Sequence, residues 1–243
     1  MEMMSKGTTV AIVLAAGQGK RMHTRTAKQY LQLLGKPVLY YSLKAFQDSC
    51  IDHIILVTGA GEQEYVQREI LDKYGFSKVK CIVEGGRERY ISVYNGLQAA
   101  GSYCEENGYV FIHDGARPCV TEEIIESALD CVRKEKACVV GMPVKDTIKV
   151  VDEDRYAANT PKRSLLWSVQ TPQVFELSLI SGAYQQLIDR EEELLRNGAQ
   201  ITDDASVVEL FTEQKVKLVE GSYENIKITT PEDLKIAEIF LSR

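Results

Sequence analysis

The sequence predicts an α/β fold, a doubly wound and mostly parallel sheet with a protruding β-arm. Three observations predict it: short apolar runs rich in β-branched residues, segments of helical spacing between them, and a break in that rhythm after Val144. Runs that are apolar throughout, rather than alternating, suit strands covered by helices on both faces. Parallel neighbours need crossover connections, and the intervening segments are long enough to supply helices for them.

The first strand is expected in TTVAIVLAAG (Thr8 to Gly17), and similar runs follow in HIILVT from His53, VKCIV from Val79, YVFIHD from Tyr109 and ACVVGMPV from Ala137. Helical spacing is clearest from Thr121 to Lys134, and a helix is also expected to begin near Tyr90. From Lys145 to Phe175 the chain offers short β-prone pieces, an acidic turn and no helix with an apolar face, so residues 147–164 are read as the arm. Helical pattern returns from Leu177 to Asn197 and again from Thr202 to Phe211, then a strand VKLVEG and a final helix opened by Pro231. There is no repeat, low-complexity tract or linker, and the expectation is one domain over 1–243.

The 243 residues are 44% hydrophobic and 26% charged, an ordinary globular composition long enough to bury a sizeable core. A net charge of −6 disfavours general nucleic-acid binding, because the average surface repels phosphate backbones. The six cysteines are scattered, with no CxxC pair and no adjacent histidine, so they read as reduced structural thiols rather than metal ligands. No apolar run has the length of a bilayer span and the first residues lack a signal segment, which makes the cytoplasm the expected compartment.

Chemistry concentrates in short motifs. In LAAGQGKRM (Leu14 to Met22), Gly17 and Gly19 follow a strand directly, where missing side chains let backbone N–H groups approach a polyphosphate. Lys20, Arg21 and Lys28 add positive charge beside them. The motif is not a P-loop, since GKS or GKT is missing, and it lacks the third glycine of a dinucleotide fingerprint. HDGARP (His113 to Pro118) ends the fourth strand, so Asp114 and Arg117 should project into the cleft of an open α/β sheet. The adjacent Asp203 and Asp204 of TDDAS suit the acidic first turn of a helix better than a metal site.

Together LAAGQGKRM, the following KQY, HDGARP, VKDTIK (Val144 to Lys149), LWSVQTPQVF (Leu166 to Phe175), TDDAS and NIKITTPEDL (Asn225 to Leu234) resemble the 2-C-methyl-D-erythritol 4-phosphate cytidylyltransferases nearly end to end. These are nucleotidyltransferases of the isoprenoid-precursor pathway. The resemblance implies a Rossmann-like sheet of the nucleotide-diphospho-sugar transferase type and transfer of CMP from CTP to an alditol phosphate. It implies a CTP site at Ala15, Ala16, Gly17, Gly19 and Asp114, with Gly85, Gly86 and Ser92 around the cytosine. By the same resemblance Arg21, Lys28 and Lys227 stabilise the transferring phosphate. Asp114, Arg117, Thr171 and Lys227 would face the acceptor, joined by Thr147 and Arg163 from the arm of a second subunit in a homodimer. Mg²⁺ is expected on the CTP phosphates, with no protein ligand assigned. Arg87 and Tyr90 stand where small or acidic polar residues are more familiar in that family. His113 reads as structural, because a phosphate monoester is already largely dianionic near neutral pH and needs no general base. Two alternatives stand beside this reading: a ribitol 5-phosphate cytidylyltransferase, and a non-catalytic nucleotide-binding subunit on the same sheet. LAAG, VKDTIK and TDDAS favour methylerythritol phosphate over ribitol phosphate, and Arg21, Lys28, Asp114 and Lys227 favour an enzyme.

Overall fold

The computed structural model describes residues 7–17 and 26–243. In chain order these form β1 (Thr9–Ala15), a 3-10 turn (Lys28–Tyr30), a small hairpin of β2 (Gln32–Leu33) and β3 (Lys36–Pro37), α1 (Val38–Asp48) and β4 (His53–Thr58). Next come α2 (Gln63–Val66), which continues as a π-helical segment to Asp72, β5 (Val79–Glu84), α3 (Arg89–Ala100), β6 (Tyr109–Asp114), α4 (Glu122–Glu135) and β7 (Ala137–Pro143). The arm carries β8 (Val150–Val151) and β9 (Ala157–Asn159), and the chain closes with β10 (Trp167–Glu176), α5 (Leu177–Asp189), α6 (Glu191–Arg196), α7 (Asp204–Phe211), β11 (Lys217–Glu220) and α8 (Pro231–Leu241).

Seven strands make the main sheet in the order β11-β7-β10-β6-β1-β4-β5, and every pairing is parallel except those of β10. β1 explains why its sequence is apolar throughout. Ala11, Val13 and Ala15 face one core with α1 and α4, whereas Val10 and Ile12 face the other with α3 and α5. Local chemistry starts the helices where expected. Thr121 caps α4 by accepting the Ile124 amide, and Thr230 with Asp233 forms a capping box ahead of Pro231 in α8. None of the six cysteines is in a disulfide, and no helix among the described residues is long and apolar enough to cross a membrane.

Three details differ from expectation. β10 is a full member of the sheet, antiparallel between β6 and β7, whereas the sequence suggests only short β-prone pieces there. It hides because buried Gln170 and Gln173 interrupt its apolar pattern, and because Pro172, which has no amide to donate, sits where the ladder with β7 breaks between Val169 and Gln173. The helix expected from Leu177 to Asn197 splits into α5 and α6 at Arg190, which leaves helical dihedrals at φ −115°, ψ 12°. Finally, the segment Asn225 to Thr229, in which the sequence suggests a strand-embedded Lys227, runs as a loop tied to the HDGARP segment by the Ile228 amide on the Ala116 carbonyl.

Candidate active site

A cleft of about 590 Å³ opens at the carboxyl ends of β1 and β6, where ligands enter sheets of this topology. Leu14, Ala16 and Gly17 reach it from β1, Lys28 and Gln29 from the 3-10 turn, and Asp114 and Ala116 from β6. Gly86, Arg87, Glu88, Arg89 and Ser92 come from the turn between β5 and α3, and Lys227 from the loop before α8.

The β5–α3 turn is built by close approach. The Gly85 amide bonds to the Thr58 carbonyl at 2.8 Å, and a Cβ on Gly85 would stand 2.4 Å from that of Ala16. A Cβ on Gly86 would meet Ile91 Cγ2 at 2.1 Å, so only glycine fits either position. Ser92 Oγ accepts the Gly86 amide at 3.0 Å and donates to the Glu88 carbonyl at 3.2 Å, which sets the turn's shape before any ligand arrives. Across the cleft, Gln29 Nε2 donates to the Ala15 carbonyl at 2.5 Å, and Lys28 Nζ donates to the Ile228 carbonyl at 3.0 Å. The turn bearing them is anchored by Tyr30, whose hydroxyl donates to Glu62 at 2.7 Å.

The floor is a knot of charge around Asp114. Lys227 Nζ lies 2.8 Å from its carboxylate, with Arg89 and Arg117 at 3.6 and 3.7 Å. Burial pushes the Asp114 pKa up, but the Arg89, Lys227 and Arg117 charges outweigh it and hold the carboxyl well below the usual range. Arg89 is in turn gripped from below by Asp204, which takes Nη1 and Nη2 at 2.7 Å each in a bidentate pair. Asp204 is fully buried and also accepts the Tyr184 hydroxyl at 2.6 Å, while its amide donates to Gln173. Burial lowers the Arg89 pKa, yet the Asp204 carboxylate dominates and raises it well above normal.

Behind Asp114 lies His113, entirely buried, its pKa pushed down to about 4, first by burial. A neutral ring satisfies its neighbours in one way. Nε2 faces the Arg117 carbonyl at 3.3 Å and must donate, so Nδ1 accepts from the Thr171 hydroxyl at 3.0 Å, and that hydroxyl accepts the Asp114 amide. The imidazole thus fixes the backbone beneath Asp114.

Of the residues marked out by sequence, Ala16, Gly17, Lys28, Gly86, Ser92, Asp114 and Lys227 converge on the cleft. Gly85 packs directly behind it and Ala15 is buried in β1, offering its carbonyl to Gln29. Gly19 and Arg21 lie outside the described residues. Arg117 and Thr171 form a layer beneath Asp114 rather than lining the cleft: Arg117 Nη1 donates to the Asn225 carbonyl at 2.8 Å, leaving its buried Nε without a hydrogen bond. Thr147 and Arg163 are exposed on the arm and take no part in the cleft of their own chain; Arg163 instead donates to the Lys145 carbonyl at 3.0 Å. Asp203 caps α7 as expected, in a capping box with Ser206. Sequence reasoning passed over Arg89, Gln29 and the second role of Asp204. EGGRER and TDDAS each carry a charge of the buried pair, but nothing in the sequence says that segments 115 residues apart meet.

Comparisons with known proteins agree with this architecture. The family model of 2-C-methyl-D-erythritol 4-phosphate cytidylyltransferase (IspD) matches residues 9–243. A protein of that name from Lachnospira eligens is 54% identical over 232 residues, covering 95% of this chain and 98% of the relative. One from Lachnoclostridium phytofermentans is 49% identical, with 95% of each chain covered. The crystal structure of 4-diphosphocytidyl-2C-methyl-D-erythritol synthase from Anaerococcus prevotii superposes with a TM-score of 0.81 at 35% identity, over 98% of this chain and 97% of that one. With the family model, the fold and near-complete coverage in agreement, the chain belongs to the 2-C-methyl-D-erythritol 4-phosphate cytidylyltransferase family of nucleotidyltransferases.

Proposed function

We propose that this chain transfers CMP from CTP to 2-C-methyl-D-erythritol 4-phosphate, giving 4-diphosphocytidyl-2-C-methyl-D-erythritol and pyrophosphate for isoprenoid-precursor synthesis. The observation that carries the reading is the convergence of Gly17 after β1, the preformed β5–α3 turn, Lys28 and the Asp114–Lys227 pair on one cleft. A phosphate-monoester oxygen of the acceptor attacks the α-phosphorus of CTP in line, a new P–O bond forms, and the bond to the β-phosphate oxygen breaks with the electron pair leaving on pyrophosphate. Two anions must meet, so the protein's part is to place and neutralise them. Lys28 and Arg21 serve the triphosphate, while backbone groups of Gly85 and Gly86 read the cytosine edge. Lys227 faces the reacting phosphates and Asp114 accepts hydroxyl hydrogen bonds of the acceptor; Arg117 and Thr171 hold Asp114 from below.

Mg²⁺ fits this reading through the nucleotide. No group of three or more metal-ligating side chains occurs among the described residues, and Asp114 is committed to three cations, so phosphate oxygens would hold the ion. Bound there, it supplies charge neutralisation across the phosphates.

The arm supports assembly as a homodimer. Ile148, Val150, Val151, Tyr156 and Leu165 are exposed on a ribbon too short to build a core of its own. Thr147 and Arg163 then act in the neighbouring subunit's cleft, and six cysteines outside any disulfide suit a cytoplasmic setting.

The deciding experiment measures pyrophosphate release from CTP and Mg²⁺ with methylerythritol phosphate and ribitol 5-phosphate side by side. Release with the first and little with the second is expected; preference for ribitol phosphate, or no release with either, overturns the proposal. In the same assay Lys28→Ala should lower turnover by about 10²- to 10³-fold.

A further inference from the structure

We infer that Glu191, which lies outside the cleft, is a positioning residue for nucleotide binding, because its carboxylate clamps the β5–α3 turn from behind. The inference rests on the assignment of that turn to the base. Glu191 opens α6, and its two oxygens take the two side chains that the sequence marks as unfamiliar here: Tyr90 Oη donates to Oε1 and Arg87 Nη2 to Oε2, each at 2.7 Å. Tyr90 stands in the first turn of α3 and Arg87 within the glycine turn itself, so one carboxylate bridges both sides of the segment.

Packing alone does not hold this segment. Its inner side is fixed by the Gly85–Thr58 and Gly86–Ser92 bonds. Its outer side backs onto a second hollow of about 590 Å³, which shares Arg87 and Glu88 with the cleft and continues past Tyr90 to Leu195, Ile201 and Thr202. The turn therefore has room to move away from the cleft, and the Glu191 clamp opposes that movement.

The two arms of the clamp differ in strength. Arg87 is 70% exposed, and water screens its pairing with Glu191. Tyr90 is 8% exposed, and its hydroxyl bonds to a carboxylate at a largely enclosed contact, the stronger class of hydrogen bond. The Tyr90–Glu191 bond is thus the main restraint, with Arg87 secondary.

Steady-state kinetics on the full chain test this. Glu191→Ala should raise the KM for CTP about tenfold, as expected for loss of one charge-assisted hydrogen bond, while kcat and the acceptor KM stay within about twofold. Tyr90→Phe should do the same, and the double variant should add little more. Glu191→Gln, which keeps an acceptor for Tyr90, should recover most of the CTP affinity. An unchanged CTP KM in Glu191→Ala and Tyr90→Phe overturns the inference, as do equal effects on kcat and both substrates, the mark of general loosening. Gly85→Ala separates the two readings. If it raises the CTP KM while the clamp variants do not, only the clamp falls; if it too leaves CTP binding alone, the assignment of the turn to the base falls with it.

Discussion

The knot beneath Asp114 and the arm at residues 147–164 carry similar polar and charged residue types in opposite physical settings. In the knot, Asp114, Asp204, Thr171 and His113 are buried, and each of them, like the partly exposed Arg89, is matched by a partner of the same chain. On the arm, Thr147, Lys149 and Arg163 are exposed, and the ribbon's apolar residues face solvent with them. The contrast teaches that folding of one chain satisfies the charges beneath Asp114, whereas the arm's residues find a role only in the proposed dimer.

The sharpest way to break that contrast is Asp204→Ala, which removes the bidentate partner of Arg89 and the acceptor of the buried Tyr184 hydroxyl. Removing one partner of such a pair should destabilise the chain by about 3 to 5 kcal/mol in urea unfolding. A loss below about 1 kcal/mol would show the knot to be no more self-sufficient than the surface.

His113 offers a smaller, pH-dependent effect. Its pKa falls from 6.5 to about 4 on folding, so the unfolded chain binds the extra proton first as pH drops. The stability tied to the neutral ring is complete above about pH 6.5 and is lost progressively between there and about pH 4, amounting to about 3 kcal/mol. His113→Gln should flatten the pH dependence of the melting temperature across that window, and an unchanged slope would mean that the ring is charged in the folded protein.

The smallest effect on the fold itself belongs to the arm. Val151→Asp, at a site 52% exposed, should leave the stability of the single chain within about 0.5 kcal/mol while converting the dimer to monomer by light scattering. A dimer that persists would show that the ribbon is not the contact surface.

Much of the cleft was legible beforehand because its signals are local. An apolar run closing on Gly17, an aspartate at a strand's end and a capping pattern before Pro231 each depend on a few consecutive residues, and each stands where its segment predicts. Lys227 reaches the Asp114 carboxylate from a loop rather than from a strand. β10 was not legible as a sheet strand, because its buried glutamines and proline break the periodicity by which strands are found; those glutamines are satisfied by α7 and the 221–225 loop, which periodicity does not reveal.

The amino-acid order alone thus determined the succession of strands and helices, the family resemblance and the residues converging on one rim, since hydrophobic period, backbone freedom and capping act over a few neighbours. Only the tertiary structure decided that β10 inserts antiparallel between β6 and β7, that Arg89 finds Asp204, and that Glu191 reaches Tyr90 and Arg87. Those pairings join groups far apart in the chain, and each is selected by which buried charge or hydroxyl must be satisfied once the sheet has closed, a condition no local stretch of sequence can express.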